Sequence, residues 1–198
     1  LASKSVIAGF ISFVEQRAQQ YVQLIPDLLV DATYSANASL AQLKQNTTSN
    51  MGSTMIGLLI QGNHAWWVSV GNSSLYLWRD GRLYKINADH SHYQDLRQKV
   101  FLGEISNEQA INDPERDGLT SALMGREMKY VDVSRFGIDL RDSDKFLLAS
   151  DGLETITQEQ IATVMRQAAT PQQISEILAQ QVKRVNNPYQ DNVSILVV

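Results

Sequence analysis

The chain has 198 residues, 43% hydrophobic and 19% charged, with no cysteine and a formal net charge of −4. That length and balance suffice for one domain with a sizeable core and exclude wholesale disorder. The absence of cysteine excludes disulfides, thiolate zinc sites and a cysteine nucleophile, and an acidic balance without a basic cluster argues against a nucleic-acid partner. No apolar run is long enough to span a bilayer and no secretory leader is visible, so no membrane partner and a cytoplasmic location are expected.

Leu1–Tyr21 places Val6, Phe10, Phe13, Val14 and Ala18 at helical spacing. Ile7 and Ile11 widen the stripe, which predicts a helix covered on more than one side. The chain begins at Leu1 already inside this pattern, and so reads as cut or processed at its N-terminus. Pro26-Asp27 opens a second helix, continued by Leu29, Ala32, Ala36, Leu40 and Leu43. Asn46–Asn50 is a polar break that ends this helix pair.

Ser53–Gln61 reads as a strand, Gly62-Asn63 as a hairpin turn and His64–Val70 as the return strand. Leu75–Trp78 is the next strand, and Asp80-Gly81 is a type I′ signal leading into Arg82–Ile86. The expectation is one antiparallel meander packed by Trp66, Trp67 and Trp78, with His64 as a solvated turn residue. Ala88–Gly125 is polar and mixed. Ser106 and Gln109 form a capping box on a short helix over 107–112, which Asp113-Pro114 ends. So long an excursion suits a lid or binding loop.

Lys129–Val133 alternates as a strand. Lys145–Ala149 is an apolar strand that stops abruptly at Ser150-Asp151-Gly152. Thr157–Gln160 and Thr170–Gln173 are capping boxes opening two amphipathic helices. The chain closes on Asp191-Asn192 followed by the β-rich run Val193–Val198. The order of helix pair, strands, excursion, strands, helix pair and strand predicts an α+β fold. Its expected form is a four-layer α–β–β–α sandwich of two antiparallel sheets flanked by helix pairs.

Two carboxylates stand out. Asp151 follows one strand and Asp191 precedes another. If these strands are antiparallel neighbours, the exit of one and the entrance of the other lie at one edge, and both carboxylates could serve one hard cation. Turn chemistry alone also accounts for an Asp-Gly pair and for an Asp-Asn before an edge strand.

The chain resembles the metal-dependent serine/threonine protein phosphatases, the type 2C or PPM family, and its small bacterial members in particular. Five stretches in order carry the resemblance over nearly the whole chain. They are Gly52-Ser53-Thr54, Val68–Leu77 with Arg79-Asp80-Gly81, Asp89-His90-Ser91, Leu119–Leu123, and Asp144–Leu153 with Asp191–Ser194. The resemblance implies a single phosphatase domain over 1–198, with a flap at about 93–118. It implies hydrolysis of phosphoserine and phosphothreonine in a protein substrate by a metal-activated water, in a signalling pairing with a serine/threonine kinase. By it, Asp151 and Asp191 are ligands of a binuclear Mg2+ or Mn2+ centre, with Asn72, Ser150, Gly152 and Asn192 as accessory or supporting positions. It identifies no catalytic residue beyond the metal ligands.

The chain also departs from the family pattern. The Asp-Gly-x-Gly-Gly metal motif would precede Leu1, so this 198-residue chain is expected to turn over little unless that segment is supplied. Asn72 stands where the family has Asp, and Ser74 where it has Arg, which weakens an accessory metal position. The alternative reading is therefore a catalytically incomplete, phosphatase-like binding or regulatory module.

Overall fold

The computed structural model describes residues 1–21, 23–45, 51–116 and 118–198. Asn46–Asn50, expected to be a polar break, lies outside the described residues. The chain divides into two compact units, one of residues 1–72 with 88–138 and one of 73–87 with 139–198.

The first unit opens with helices α1 (Ala2–Arg17) and α2 (Ile25–Gln45). Leu28, Ala32, Ala36 and Leu40, four apart along α2, are fully buried, and each turn of the helix presents the same face inward. Ala36 and Leu40, with Leu29, share a core cluster with Met55, Val68, Val70 and Leu123. Gly9 lets the helices approach closely, since a Cβ there would lie 3.1 Å from Ala36 Cα. The sequence pattern overstated the cover on α1. Ile7 is 56% and Ile11 48% exposed, and only Val6 is buried.

Strands β1 (Met55–Gln61) and β2 (His64–Val70) pair antiparallel over their full length around the Gly62-Asn63 turn. Trp67 is buried on this sheet and Trp66 packs at the edge of its core, while His64 is exposed. The expected single meander ends here. The free edge of β2 pairs with β5 (Asp132–Val133) and β6 (Ile138–Asp139), not with the strand that comes after it in the chain. The cause is Gly71, which sits at φ +103°. Its N–H donates to His90 Nδ1 at 3.2 Å and its carbonyl accepts from His90 N–H at 3.1 Å. Backbone groups that would have continued a hairpin are thus tied to His90.

Strand β5 is shorter than the alternation at 129–133 predicts. Ser121 Oγ accepts from Tyr130 N–H at 3.1 Å and donates to Tyr130 carbonyl at 2.8 Å, which takes Tyr130 out of any ladder. The excursion holds more helix than its composition showed. Helix α3 (His92–Phe101) is capped by Ser91, and α4 (Asn107–Ile111) by the Ser106–Gln109 box. Only Leu96 of α3 is buried, so the apolar period that reveals a helix is nearly absent.

The second unit is a sheet ordered β4-β3-β7-β8, built from β3 (Ser74–Arg79), β4 (Arg82–Lys85), β7 (Lys145–Ala149) and β8 (Ile195–Val197). Asp80 and Gly81 both have positive φ, as a type I′ turn requires. Trp78, Tyr76, Leu147 and Leu153 pack with Ile161, Met165, Ile174 and Leu178 of helices α5 (Gln158–Gln167) and α6 (Pro171–Val185). The Thr157–Gln160 capping box forms as expected. At α6, Thr170 caps Gln173 N–H, but the Gln173 side chain reaches back to Ala169 N–H at 3.2 Å instead of to the cap residue. Arg79 grips Asp144 through two bonds of 2.9 and 2.6 Å, so two of the motif residues are accounted for by sheet structure. The fold is of the expected α+β class, with two antiparallel sheets and six α-helices among the described residues.

Candidate metal-binding rim

Strands β7 and β8 are antiparallel neighbours, with Ala149 opposite Ile195. Asp151 therefore lies two residues beyond the end of β7, and Asp191 lies four residues before the start of β8. Both fall at the same rim of the second unit, where β7 leaves the sheet and β8 enters it.

A clasp holds the two segments. Ser150 N–H donates to Ser194 carbonyl at 3.0 Å. Ser150 Oγ accepts from Ser194 N–H at 3.0 Å and donates to Asn192 carbonyl at 3.1 Å. From the other side, Gln190 Nε2 donates to Gly152 carbonyl at 3.0 Å and to Asp191 carbonyl at 2.7 Å, and Gln190 Oε1 accepts from Thr155 Oγ1. Residue 152 must be glycine for steric reasons. A Cβ there would stand 2.7 Å from Asn192 carbonyl oxygen and 3.0 Å from that of Asp191.

Asp151 opens a short 3-10 helix, Asp151–Thr155, anchored in the core by Leu153 and followed by buried Ile156. Its carboxylate thus sits on a turn fixed from below by apolar packing and from the side by Ser150 and Gln190. Asp151 is half-buried and Asp191 exposed. Asp191 Oδ1 accepts from Asn192 N–H at 2.7 Å, which orients the carboxylate and leaves its second oxygen for other bonding.

Ser74, in the place of the family's arginine, is buried opposite Ala149. Its Oγ lies 3.2 Å from Glu154 Oε1, and Lys85 Nζ is 3.6 Å from the same oxygen. Asn72 belongs to the first unit, half-buried beside Gly71.

The structure thus brings Ser150, Asp151, Gly152, Asp191 and Asn192 together at one rim. Gln190 and Thr155 are not singled out by the sequence, and Ser194 enters there only as the end of a motif. A glutamine directly before Asp191 was the available signal, but only the strand pairing shows that its amide bridges to Gly152. Two carboxylates with carbonyl and hydroxyl oxygens around them are the donor chemistry of a hard divalent cation. Among the described residues no group of three or more His, Cys, Asp or Glu gathers to hold a metal, so the rim fits as a two-carboxylate contribution.

Comparison with known proteins points the same way as the motifs: the chain is similar in sequence and fold to bacterial serine/threonine phosphatases. No family model matches the chain. The chain is similar to the Mycobacterium tuberculosis serine/threonine protein phosphatase PstP, with 29% identity over 197 residues, 100% of this chain and 37% of that protein. It is also similar to the Listeria monocytogenes serine/threonine phosphatase stp, with 29% identity over 151 residues, 76% of this chain and 57% of that protein. The crystal structure of M. tuberculosis PstP/Ppp superposes with a TM-score of 0.81 at 28% identity, covering 99% of this chain and 80% of that one. A PstP catalytic domain in complex with two manganese ions superposes with a TM-score of 0.77 at 27% identity, covering 99% and 79%. The chain spans well under two thirds of the length of the curated relatives it matches.

Proposed function

We propose that the protein is a metal-dependent phosphatase acting on phosphoserine and phosphothreonine in proteins, with Asp151 and Asp191 as ligands of a Mg2+ or Mn2+ centre. The observation that carries this reading is the clasp, which fixes the end of β7 against the entrance of β8 with a carboxylate on each. A divalent pair bound there would neutralise phosphoryl charge and acidify a water. The chain's own part is placement. Ser150 and Gly152 hold the turn that carries Asp151, and Asn192 N–H orients Asp191. No side chain is assigned a nucleophilic role. Asn72 is proposed as an accessory metal position weakened by its neutral amide, and Asn72→Asp is expected to raise manganese occupancy in a titration.

We read residues 1–198 as one phosphatase domain with 93–118 as its flap, paired in the cytoplasm with a serine/threonine kinase. No helix among the described residues is long and apolar enough to cross a membrane. The manganese-bound PstP domain and the phosphatase names of the relatives support the assignment.

A second reading, a phosphatase-like module that binds without turnover, draws on the two-carboxylate donor set and on Asn72 and Ser74. Manganese calorimetry and phosphopeptide turnover distinguish the two. The enzyme reading expects Asp151→Asn and Asp191→Asn each to lower manganese affinity at least tenfold and to remove whatever turnover the unsubstituted chain shows. Retained phosphopeptide binding with no manganese dependence and no turnover would select the binding module. Unchanged metal affinity in both variants would remove the rim from the site.

A further inference from the structure

Helices α3 and α4 of the first unit enclose a cleft of about 510 Å³. Its apolar lining includes Val100, Phe101, Ala110 and Ile111, and its charged lining among the described residues is Arg97 and Arg116. Phe101 is 88% exposed, Ile111 63% and the adjacent Leu102 58%. Three large apolar side chains left in water on two short helices form a patch of the kind that marks an interaction surface.

The cationic end is specific. Arg116 and Arg97 each lie over the Tyr93 ring, at 5.1 and 5.9 Å from its centroid. Stacking on an aromatic face holds a guanidinium in place while leaving its in-plane N–H donors available. Arg116 Nε is buried and finds no hydrogen-bond partner among the described residues. A carboxylate suits the planar fork best, because two parallel N–H···O bonds form at once.

We propose that this cleft is a docking site for a protein segment in which an Asp or Glu adjoins a bulky apolar residue. The carboxylate meets Arg116 and Arg97, and the apolar side chain enters between Phe101 and Ile111. A chain segment, not a small molecule, is inferred because the apolar lining continues onto the open surface at Phe101 and Leu102 instead of closing over the cleft. The proposal is independent of the phosphatase reading, since it uses neither Asp151 nor Asp191.

The test is fluorescence anisotropy with labelled 12-residue peptides carrying a central Asp-Phe or Glu-Leu pair. Controls carry Lys-Phe or Asp-Gly, and benzoate serves as a small-molecule competitor. Asp-Phe or Glu-Leu peptides are expected to bind at least tenfold more tightly than both controls. Arg116→Gln and Ile111→Asp are each expected to weaken that binding at least tenfold. Phe101→Ala, at a largely exposed position, keeps the test decisive should another variant fold poorly, and it too should weaken binding. Equal binding of the controls, or binding that survives Arg116→Gln and Phe101→Ala, overturns the proposal. Displacement by benzoate at an affinity matching the peptide's would make the cleft a small-molecule site and overturn it as well. A shift from dimer to monomer on Phe101→Ala in sedimentation would assign the patch to self-association instead.

Discussion

The surroundings of His90 in the first unit and of Ser150 in the second are both built from residues of the family-like motifs, yet they use polar side chains in opposite ways. Around His90 those side chains turn inward onto backbone. His90 meets Gly71, Ser121 meets both the N–H and the carbonyl of Tyr130, and Ser53 Oγ donates to the carbonyl of Thr54. Around Ser150 the neutral side chains, Ser150 and Gln190, hold backbone, and the two carboxylates beside them are left half-buried and exposed. A motif residue is therefore not a site residue by virtue of the motif. The first group specifies a chain path; the second holds acidic oxygens at a rim.

The largest effects should separate these roles. Gly71→Ala places a Cβ 2.4 Å from Thr54 Cγ2 and 3.2 Å from Thr54 Cα, at a φ of +103°. Strain of φ and overpacking together predict a loss of about 3 kcal/mol, read from the urea midpoint. Gly152→Ala should come next, at about 1–3 kcal/mol, because backbone carbonyls must move away from the new methyl group. Unlike Gly71→Ala, it should also cost manganese affinity at least tenfold in calorimetry, since the carbonyls it displaces belong to Asp191 and Asn192. A Gly152→Ala protein with unchanged manganese affinity would mean that the clasp does not position the carboxylates.

A smaller effect is expected at Arg79, which supports the second unit's sheet away from the rim. Its guanidinium holds the Asp144 carboxyl below the usual carboxylate range, with the Arg141 N–H assisting. Arg79→Lys keeps the charge and loses the two-bond fork, so about 1 kcal/mol should be lost in urea titration with manganese affinity unchanged.

The parts of this molecule legible in its sequence are those written in local chemistry. Apolar residues four apart gave α2, positive-φ residues gave the Asp80-Gly81 hairpin, and hydroxyl caps gave α4 and α5. The abrupt polarity change after Ala149 marked a strand end, and a conditional antiparallel pairing put Asp151 and Asp191 at one edge. The features that stayed hidden depend on partners distant in sequence. The break between β2 and β3 is enforced by His90, nineteen positions from Gly71. The shortening of β5 is enforced by Ser121, and the Gln190 bridge spans thirty-eight positions to Gly152. Helix α3 escaped because it buries one residue, so its stability rests on its cap and not on a stripe.

The finest test uses pH, because the first unit's fold rests on a neutral imidazole. Burial pushes the His90 pKa down, against the pull of Asp132, Asp89 and Asp95 in the other direction. Nδ1 of His90 accepts the Gly71 N–H, a bond that a protonated ring cannot make. A histidine whose folded pKa lies below its unfolded value of about 6.5 binds its proton more readily when unfolded. Its contribution is then fully present above about pH 6.5 and is lost as pH falls from there toward the folded pKa. Urea midpoints measured between pH 7.5 and 5 should therefore decline on the acid side. His90→Asn, whose amide oxygen can accept the same N–H, should start from a lower midpoint and lose most of that slope, whereas the exposed His64→Gln should keep it. A slope that survives His90→Asn would assign the acid sensitivity to another group and leave Gly71 alone as the cause of the chain's turn between the sheets.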